Sequence, residues 1–547
     1  MTRGVAGVSI RFPCKLTLSG ITEQTRCMYA PKITIYDTTL RDGTQAEGVS
    51  FSVQDKIRIA EKLAGFGIHY IEGGWPGSNP KDIAFFEEAR KREWGPAKIC
   101  AFGSTCRPKL SPADDSQVRL LIEAGTPVVT IVAKSWGLHV EHILGVSFKE
   151  NLRMIRETVD YLKSKGKEVI LDAEHFFDGY KEDAEHALAA IRAAADAGAD
   201  MAVLCDTNGG SMLHEVGEIT HAAVAQLGLP IGIHTHNDCE LGVANALAAL
   251  RAGAVQVQGT INGYGERTGN CNLTSVIPNL QLKLGIEVVP DLTRLHELSL
   301  FVDELANCQH NIRAPFVGAT AFAHKGGLHA NAVEKLAKSY EHIEPGSVGN
   351  RQQILVSELS GQSNVIAKAR QLGFQLDKGS PEVPAILREI KKLEHEGYEF
   401  EAAEASFELL VRRVLSKPEP LWELLEYHCT YIRSVRNRYE TCEATVKLRV
   451  GTSDIYTVAE GDGPVNALDA ALRKALIPTY PVIDRIQLSD FKVRIITANS
   501  GTAARTRVLI DSTDHHETWS TVGVSDNIIE ASWLALVESY EYRLRRG

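Results

Sequence analysis

Two histidines separated by one residue, His234 and His236, lie at the end of an apolar run at positions 229–233. Because side chains alternate faces along a strand, both imidazoles can point the same way. A carboxylate from Asp42, which follows the strand-like residues 33–36, would complete a set of two histidines and one acid. Such a set binds a divalent metal ion and leaves positions open for substrate. The alternative is a hydrogen-bonded histidine pair in a turn and an aspartate that caps a helix.

The first half of the chain alternates between short apolar runs and longer stretches with helical periodicity. Eight runs are predicted to be strands, at residues 33–36, 70–73, 98–102, 128–132, 168–173, 201–205, 230–234 and 255–259. Candidate helices between them include residues 53–66, 148–164, 183–197 and 241–252. Alternating units imply parallel strands joined by crossovers, and eight of them favour a closed (β/α)8 TIM barrel. A doubly wound open sheet is the structural alternative.

Polar side chains lie near the ends of several of the predicted strands or in the loops that follow them. They are Asp42, Glu72, Glu174, Asp206, Thr207, His236 and Asn270. In a TIM barrel the carboxyl ends of the strands form one rim, and that rim carries the chemistry. The barrel therefore predicts that the metal set and these other side chains lie close together.

Length, charge and cysteine usage limit the classes of protein. The 547 residues suffice for roughly two to four domains. The formal net charge of −10 argues against a nucleic-acid or anionic-membrane partner. Ten cysteines without a CxxC pair indicate neither a zinc ribbon nor a disulfide framework and favour a reducing cytoplasm. Residues 1–30 lack the hydrophobic core of a secretory signal and are predicted to be a disordered extension; the alternative is that translation starts at Met28.

Three segments resemble the signatures of a known family. They are residues 37–45 (DTTLRDGTQ), 234–238 (HTHND) and 263–270 (GYGERTGN). They resemble the Claisen-condensing branch of the metal-dependent TIM-barrel lyases, which contains isopropylmalate, homocitrate and citramalate synthases. The resemblance implies condensation of acetyl-CoA with a small α-keto acid, assisted by a divalent ion such as zinc, manganese or magnesium. Residues 70–81 (YIEGGWPGSNPK) resemble the subgroup that uses pyruvate on a route to isoleucine.

The metal site implied by this resemblance consists of Asp42, His234, His236 and Asn270. Asn270 could instead be a turn residue in a left-handed conformation. Arg41 precedes Asp42 and stays protonated, so it suits stabilisation of the oxyanion that a condensation forms. Both side chains reach the substrate only if the chain turns here, which Gly43 allows. The alternative for Arg41 is a salt bridge across the barrel mouth.

Three other rim residues are candidate substrate-binding or catalytic groups. Thr207 is predicted to donate its hydroxyl to the substrate carboxylate, with a helix cap or turn as the alternative. Glu72 is a candidate substrate-binding residue. Glu174 is predicted to help position a base or water, although a loop glutamate is more often only solvated. Glu240 and Arg267 are interpreted as structural ion pairs and are left out of the site.

A glycine-hinged loop with two histidines, residues 321–331, follows the end of the β/α pattern near residue 295. In the resembled family the equivalent histidine lies on an arm that reaches into a neighbouring subunit and acts in proton abstraction. That role carries over to His329, which is followed by Tyr340. An imidazole suits the role because its pKa lies near the working pH. His324 is the competing candidate.

The predicted domain organisation has four parts. Residues 1–30 form the extension, 31–295 the barrel, 296–400 the linker subdomains with the arm, and 401–547 a C-terminal α+β domain. The last part contains a weak repeat in which residues 457–467 realign on 521–531 at an offset of 64. Each copy runs from a strand through a turn into a helix, whose N-terminal amides could hold a carboxylate. The resemblance favours a regulatory domain of a homodimer that binds isoleucine; a plain dimerisation module is the alternative.

Other functions compete with this reading. A 2-isopropylmalate synthase would act on 2-ketoisovalerate in leucine biosynthesis. An acyl-CoA lyase would cleave its substrate in a similar barrel, but that branch normally lacks a regulatory C-terminal domain. A non-haem iron oxygenase also uses two histidines and one acid, but its ligand order and double-stranded β fold do not match eight β/α units. A non-catalytic ligand sensor would explain only the C-terminal part.

Overall fold

The predicted strands form a closed barrel. In the computed structural model the eight strands pair in sequence order, and β8 pairs with β1 in parallel. The strands are β1 Thr34–Asp37, β2 Tyr70–Gly74, β3 Lys98–Ser104, β4 Val128–Lys134, β5 Glu168–Glu174, β6 Met201–Asp206, β7 Ile231–Thr235 and β8 Gln256–Gly259. The TIM barrel is therefore confirmed, and the open doubly wound sheet is excluded.

The structure describes residues 32–325, 329, 332–333, 335–355, 361–434, 439–496 and 504–546. The chain divides into two compact units, which are described separately. The first extends to Gly318 and includes Ser347–Gly349; the second contains Ala319–Gly346 and the chain from Asn350 onward. The predicted extension at 1–30 lies outside the described residues, and the domain boundaries at 295 and 400 stay predictions. Within the described ranges, no helix is both long and apolar enough to cross a membrane.

Helices alternate with the strands of the barrel, as the periodicity predicts. In the first unit the main helices are Val53–Phe66, Pro80–Ala89, Ser116–Glu123, Phe148–Ser164, Phe176–Glu182, Ala184–Asp196, Leu213–Leu227, Gly242–Arg251, Leu273–Pro278 and Leu295–Leu305. Local sequence sets their ends. Ser52 and Asp55 form a capping box before the first helix, and Gly67, with φ of 103°, ends it in a left-handed conformation.

The barrel interior holds both apolar and polar side chains. Its apolar cluster consists of Tyr36, Cys100, Val128, Ile170, Val203 and Cys205. The side chains of Glu72, Asp172 and Gln258 are buried beside it. A buried polar group costs free energy unless it is hydrogen-bonded, and these three are bonded within the barrel. These hydrogen bonds offset the cost of burying polar side chains inside the barrel.

The second unit begins with a short parallel pair, β9 Ala323–His324 and β10 Gln353–Ile354. Three helices follow, Gln362–Gln371, Glu382–His395 and Glu404–Ser416. The C-terminal part contains two antiparallel three-stranded sheets, each followed in sequence by a helix. The first consists of β11 Glu423–Ser434, β12 Tyr439–Val450, β13 Ser453–Gly461 and helix Pro464–Leu476, and the second of β14 Gln487–Ile495, β15 Thr506–Thr513, β16 Thr518–Ser525 and helix Ile528–Arg546.

The two sheet-and-helix halves confirm the predicted repeat down to single hydrogen bonds. The hydroxyl of Thr457 on β13 donates to the carbonyl of Ala471 at 2.8 Å. The hydroxyl of Thr521 on β16 donates to the carbonyl of Ala535 at 2.7 Å. The offset of 64 residues found in the sequence places the donor Thr457 on the donor Thr521 and the acceptor Ala471 on the acceptor Ala535. Each bond ties the last strand of its sheet to the helix that follows.

Candidate metal centre and active site

The predicted metal ligands come together at the barrel rim. One ligand atom from each of Asp42, His234 and His236 lies within 4.8 Å of the others. The Nε2 atom of His234 is 3.4 Å from a carboxylate oxygen of Asp42 and 3.4 Å from Nε2 of His236. All three residues are buried. Two imidazole nitrogens and one carboxylate in mutual reach are a donor set that can hold a divalent cation.

The electrostatics of this set favour its metal-binding protonation state. Burial, reinforced by nearby His234, lowers the pKa of His236 to about 4, so this imidazole is neutral. Burial raises the pKa of Asp42, but the opposing effects, led by the positive charge of Arg41, lower the pKa overall. A neutral imidazole and an ionised carboxylate are the forms that bind metal.

Two strand ends and one turn position the ligands. His234 lies within β7 and His236 follows its last residue. Asp42 follows β1 through a turn, in which the amide of Arg41 donates to the carbonyl of Thr38 at 3.1 Å. Gly43 then begins a short 3-10 helix. This is the chain reversal that the sequence required for Arg41 and Asp42 to face one cavity.

Asn270 is held beside His236. The two residues form an isolated antiparallel bridge, and the side-chain amide of Asn270 donates to the carbonyl of Tyr264 at 3.1 Å. Its Oδ1 atom is buried and has no hydrogen-bond partner among the described residues. A Cβ atom on Gly265, where φ is +154°, would lie 2.1 Å from the Asn270 amide nitrogen, so glycine is required there. A buried oxygen that lacks a partner suits the predicted fourth ligand.

Arg41 is fixed on three sides. Its Nε donates to Glu72 at 2.6 Å, its Nη1 lies 3.1 Å from Asp42, and its guanidinium carbon lies 3.7 Å from the ring centre of Phe102. Glu72 is fully buried, and its other oxygen accepts a hydrogen bond from Tyr36 at 2.6 Å. The contacts of Glu72 therefore orient Arg41, although the sequence predicted a substrate-binding residue.

Arg41 and the metal set line a cavity of about 200 Å³ together with Glu174 and Thr207. The hydroxyl of Thr207 accepts a hydrogen bond from the His175 amide at 2.9 Å, which leaves its proton free to be donated. Glu174 forms an ion pair with Lys134. Predicted rim residues therefore share one cavity with the metal set.

His329 and Tyr340 lie in the second unit. Their rings stack with centroids 4.4 Å apart, and both residues are exposed. His324 differs, because its side chain is only 11% exposed and its Nε2 lies 3.2 Å from Glu341. Gln352 donates to the same carboxylate oxygen at 2.7 Å. His324 is thus engaged with Glu341, whereas His329 is an exposed residue whose ring contacts Tyr340.

Sequence reasoning missed several residues of the cavity, among them Trp75, Phe102 and Asp172. It also missed Gln258, which bonds to His234. Residues 255–259 (VQVQG) did carry a signal, because glutamines two apart in a strand with both faces covered must point into the barrel. The ion pair of Arg267 with Asp238, at 2.8 Å, agrees with leaving Arg267 out of the site.

Comparison with known protein families gives the class of the barrel. A model described as HMGL-like matches residues 32–302. The homocitrate synthase post-HMGL domain-like model matches residues 316–398, and the LeuA allosteric (dimerisation) domain matches residues 401–544. The fold and the rim site thus define an HMGL-like barrel protein with a LeuA-type C-terminal domain.

Proteins whose sequences align with nearly the whole chain identify the family within this class. The (R)-citramalate synthase of Aquifex aeolicus is 54% identical over 94% of this chain and 98% of its own length. That of Geobacter sulfurreducens is 50% identical over 94% and 98%. The 2-isopropylmalate synthase of Methanocaldococcus jannaschii is 30% identical over 93% and 94%. The chain belongs to the family of the (R)-citramalate synthases, of which the 2-isopropylmalate synthases are more distant relatives.

Proposed function

We propose that this enzyme condenses acetyl-CoA with pyruvate to give (R)-citramalate and CoA. A methyl proton leaves acetyl-CoA, the resulting carbon adds to the keto carbon of pyruvate, the alkoxide takes up a proton, and water cleaves the thioester. The observation that carries the proposal is the shared cavity of Arg41, Thr207 and the ligand set. Relatives named (R)-citramalate synthase at 44–54% identity support the choice of pyruvate.

Asp42, His234, His236 and Asn270 would hold a divalent metal ion. Nitrogen and oxygen donors suit zinc or manganese, and magnesium less well. Bound there, the ion would polarise the keto group of the substrate as a Lewis acid. The buried Asn270 oxygen without a described partner supports its inclusion in the set.

Arg41 stabilises the negative charge that develops on the keto oxygen. Its planar guanidinium offers five N–H bonds, and its pairs with Glu72 and Asp42 use only part of them. Because Glu72 and Phe102 fix the side chain before substrate arrives, little reorganisation is needed during the reaction. Thr207 donates its hydroxyl to the substrate carboxylate.

His329 removes the methyl proton of acetyl-CoA, with Tyr340 stacked against it and Glu174 orienting the base or a water. The arm that carries His329 serves the barrel of a second subunit in a homodimer. The exposed His329 ring supports this assignment over His324, which is engaged with Glu341. The family match to the LeuA dimerisation domain supports a dimeric enzyme.

Release of free CoA thiol tests the reaction and the choice of substrate. Purified enzyme is assayed with acetyl-CoA and pyruvate, 2-ketobutyrate or 2-ketoisovalerate. The highest kcat/KM is expected for pyruvate, because its methyl group is the smallest of the three alkyl groups and the cavity holds only about 200 Å³. Preference for 2-ketoisovalerate would assign a 2-isopropylmalate synthase instead. Cleavage of citramalyl-CoA without any condensation would assign a lyase.

The C-terminal domain senses isoleucine and the enzyme works in the cytoplasm on the route to that amino acid. Calorimetric titration of isoleucine into the full-length protein, with and without pyruvate, tests the first point. Coupling requires that pyruvate change the affinity for isoleucine. Absence of binding in both titrations would leave the domain as a dimerisation module.

A further inference from the structure

Two buried polar side chains link one metal ligand on β7 to the nearby strand β5 through the barrel interior. Gln258 on β8 is the register partner of His234 on the neighbouring β7. Its Oε1 lies 2.9 Å from Nδ1 of His234. Its Nε2 donates to Oδ1 of Asp172 on β5 at 3.0 Å. Both side chains are at most 4% exposed, so bulk water does not replace these bonds.

The orientation of the Gln258 amide between Asp172 and His234 determines which ring nitrogen of His234 carries the proton. An amide nitrogen only donates and an amide oxygen only accepts. Because the Gln258 nitrogen faces Asp172, its oxygen faces Nδ1 of His234, and that Nδ1 must carry the ring proton. Nε2 of His234 then keeps its lone pair, and this is the atom that faces Asp42 and His236.

The reversed arrangement would disable the ligand. If the amide turned over, Gln258 would donate to Nδ1 and the ring proton would move to Nε2 of His234. That proton would point at the Asp42 carboxylate 3.4 Å away, in the space where a metal ion must bind. An ionised Asp172 opposes this reversal, because its carboxylate oxygens only accept and the amide nitrogen is the donor that faces them.

His236 provides an internal contrast. Its Nδ1 atom is buried and has no hydrogen-bond partner among the described residues. It is placed through its backbone bridge to Asn270 instead. The two histidines are therefore oriented by different means, and only His234 depends on a side chain behind it.

We propose that Gln258 and Asp172 are positioning residues that hold His234 in the tautomer and orientation that bind the metal ion. The inference rests on the proposed metal site. Outer partners of this kind typically change metal affinity by about 10–100-fold when removed. An amide at this position also avoids adding another buried carboxylate beside Asp42, Glu72 and Asp172.

The experiment titrates Mn²⁺ into metal-free, full-length protein and follows binding by calorimetry. Gln258→Met keeps the size of the side chain but removes both hydrogen bonds, and its Kd for Mn²⁺ is expected to rise by about 10–100-fold. Gln258→Glu keeps an acceptor for Nδ1 but places a second carboxylate beside Asp172, and it is expected to recover only part of the affinity. Asp172→Asn permits the reversed amide and is expected to raise the Kd several-fold.

Gln256→Met is the matched control. Gln256 lies two residues earlier on β8, is also fully buried, and bonds weakly to Thr34 at 3.4 Å rather than to a ligand. Its Kd is expected to stay at the wild-type value. Unchanged binding in Gln258→Met, or an equal loss in Gln256→Met, would overturn the inference. If Gln258→Met does not fold, the Asp172→Asn and Gln258→Glu titrations decide.

The proposed metal site is tested separately with His234→Ala. If that variant binds Mn²⁺ like the wild type, the site itself is wrong. If it loses binding while Gln258→Met retains it, the site stands and only the positioning role is wrong. The two failures are thereby distinguished by one set of titrations.

Discussion

The barrel rim and the C-terminal repeat use buried polar groups for opposite purposes. At the rim, the Nδ1 of His236 and the Oδ1 of Asn270 have no partner among the described residues, and ligand atoms face one another. In the repeat, Thr457 and Thr521 each donate to a helix carbonyl and fasten strand to helix. Buried polar atoms left open at a rim indicate a binding function, whereas satisfied ones stabilise the architecture.

Of the substitutions predicted here, removal of a metal ligand at the barrel rim should lower activity most. Asp42→Ala is expected to lose bound metal and to lower kcat by at least about 10³-fold, because several kcal/mol of charge stabilisation disappear. Metal content and CoA release measure the two losses, and the thermal unfolding midpoint checks the fold. Asp206→Ala is the control, since this rim carboxylate bonds to Ser211 instead. Full metal content in Asp42→Ala would show that Asp42 is not a metal ligand and differs in no way from Asp206.

The arm tests whether the chemistry is confined to the barrel. His329→Ala is expected to slow exchange of the acetyl-CoA methyl proton by about 10²-fold or more, because a general base is lost. The KM for pyruvate should change little. His324→Ala is the matched control and should affect exchange less, since His324 is engaged with Glu341. Greater damage from His324→Ala would mean that the two histidines exchange roles.

Arg41→Lys should produce a smaller, purely catalytic loss. Lysine keeps the charge but cannot reproduce the planar fork between Glu72 and Asp42. We expect kcat to fall by about 10²-fold with unchanged metal content. Steady-state kinetics together with metal analysis measure both quantities. Normal turnover would show that Arg41 only neutralises the buried acids around it.

The same comparison explains what could be read from the sequence. The barrel was predictable because its strands are short apolar runs between amphipathic helices. Asp42, His234 and His236 were predictable because metal chemistry limits the residue types and their spacing. The partnership of His234 with Gln258 and Asp172 was not, since it depends on strand register and on contact through the barrel interior. The contact of Glu72 with Arg41 is likewise invisible in sequence, and the role of Glu72 in substrate binding stays a prediction.

The smallest expected effect is a loss of stability when the threonine hydrogen bonds of the C-terminal repeat are removed. Thr457→Val and Thr521→Val each remove one buried hydroxyl donor while the acceptor stays within a helix. Each should lower the free energy of unfolding by about 1 kcal/mol, because one buried hydrogen bond contributes roughly that amount. The two losses should agree within about 0.5 kcal/mol, because the two bonds occupy equivalent positions in the repeat. Urea unfolding of the full chain measures them, with unchanged kcat as a second readout.

Thr518→Val, at an exposed position on β16, is the control and should change stability by less than about 0.5 kcal/mol. Equal losses at Thr457 and Thr521 would mean that the two halves of the repeat carry equivalent structural bonds. A loss confined to one half, or a fall in kcat, would mean that this hydroxyl does more than fasten its helix. The contrast between unpaired polar atoms at the barrel rim and purely structural hydrogen bonds in the repeat would then not hold for that half of the repeat.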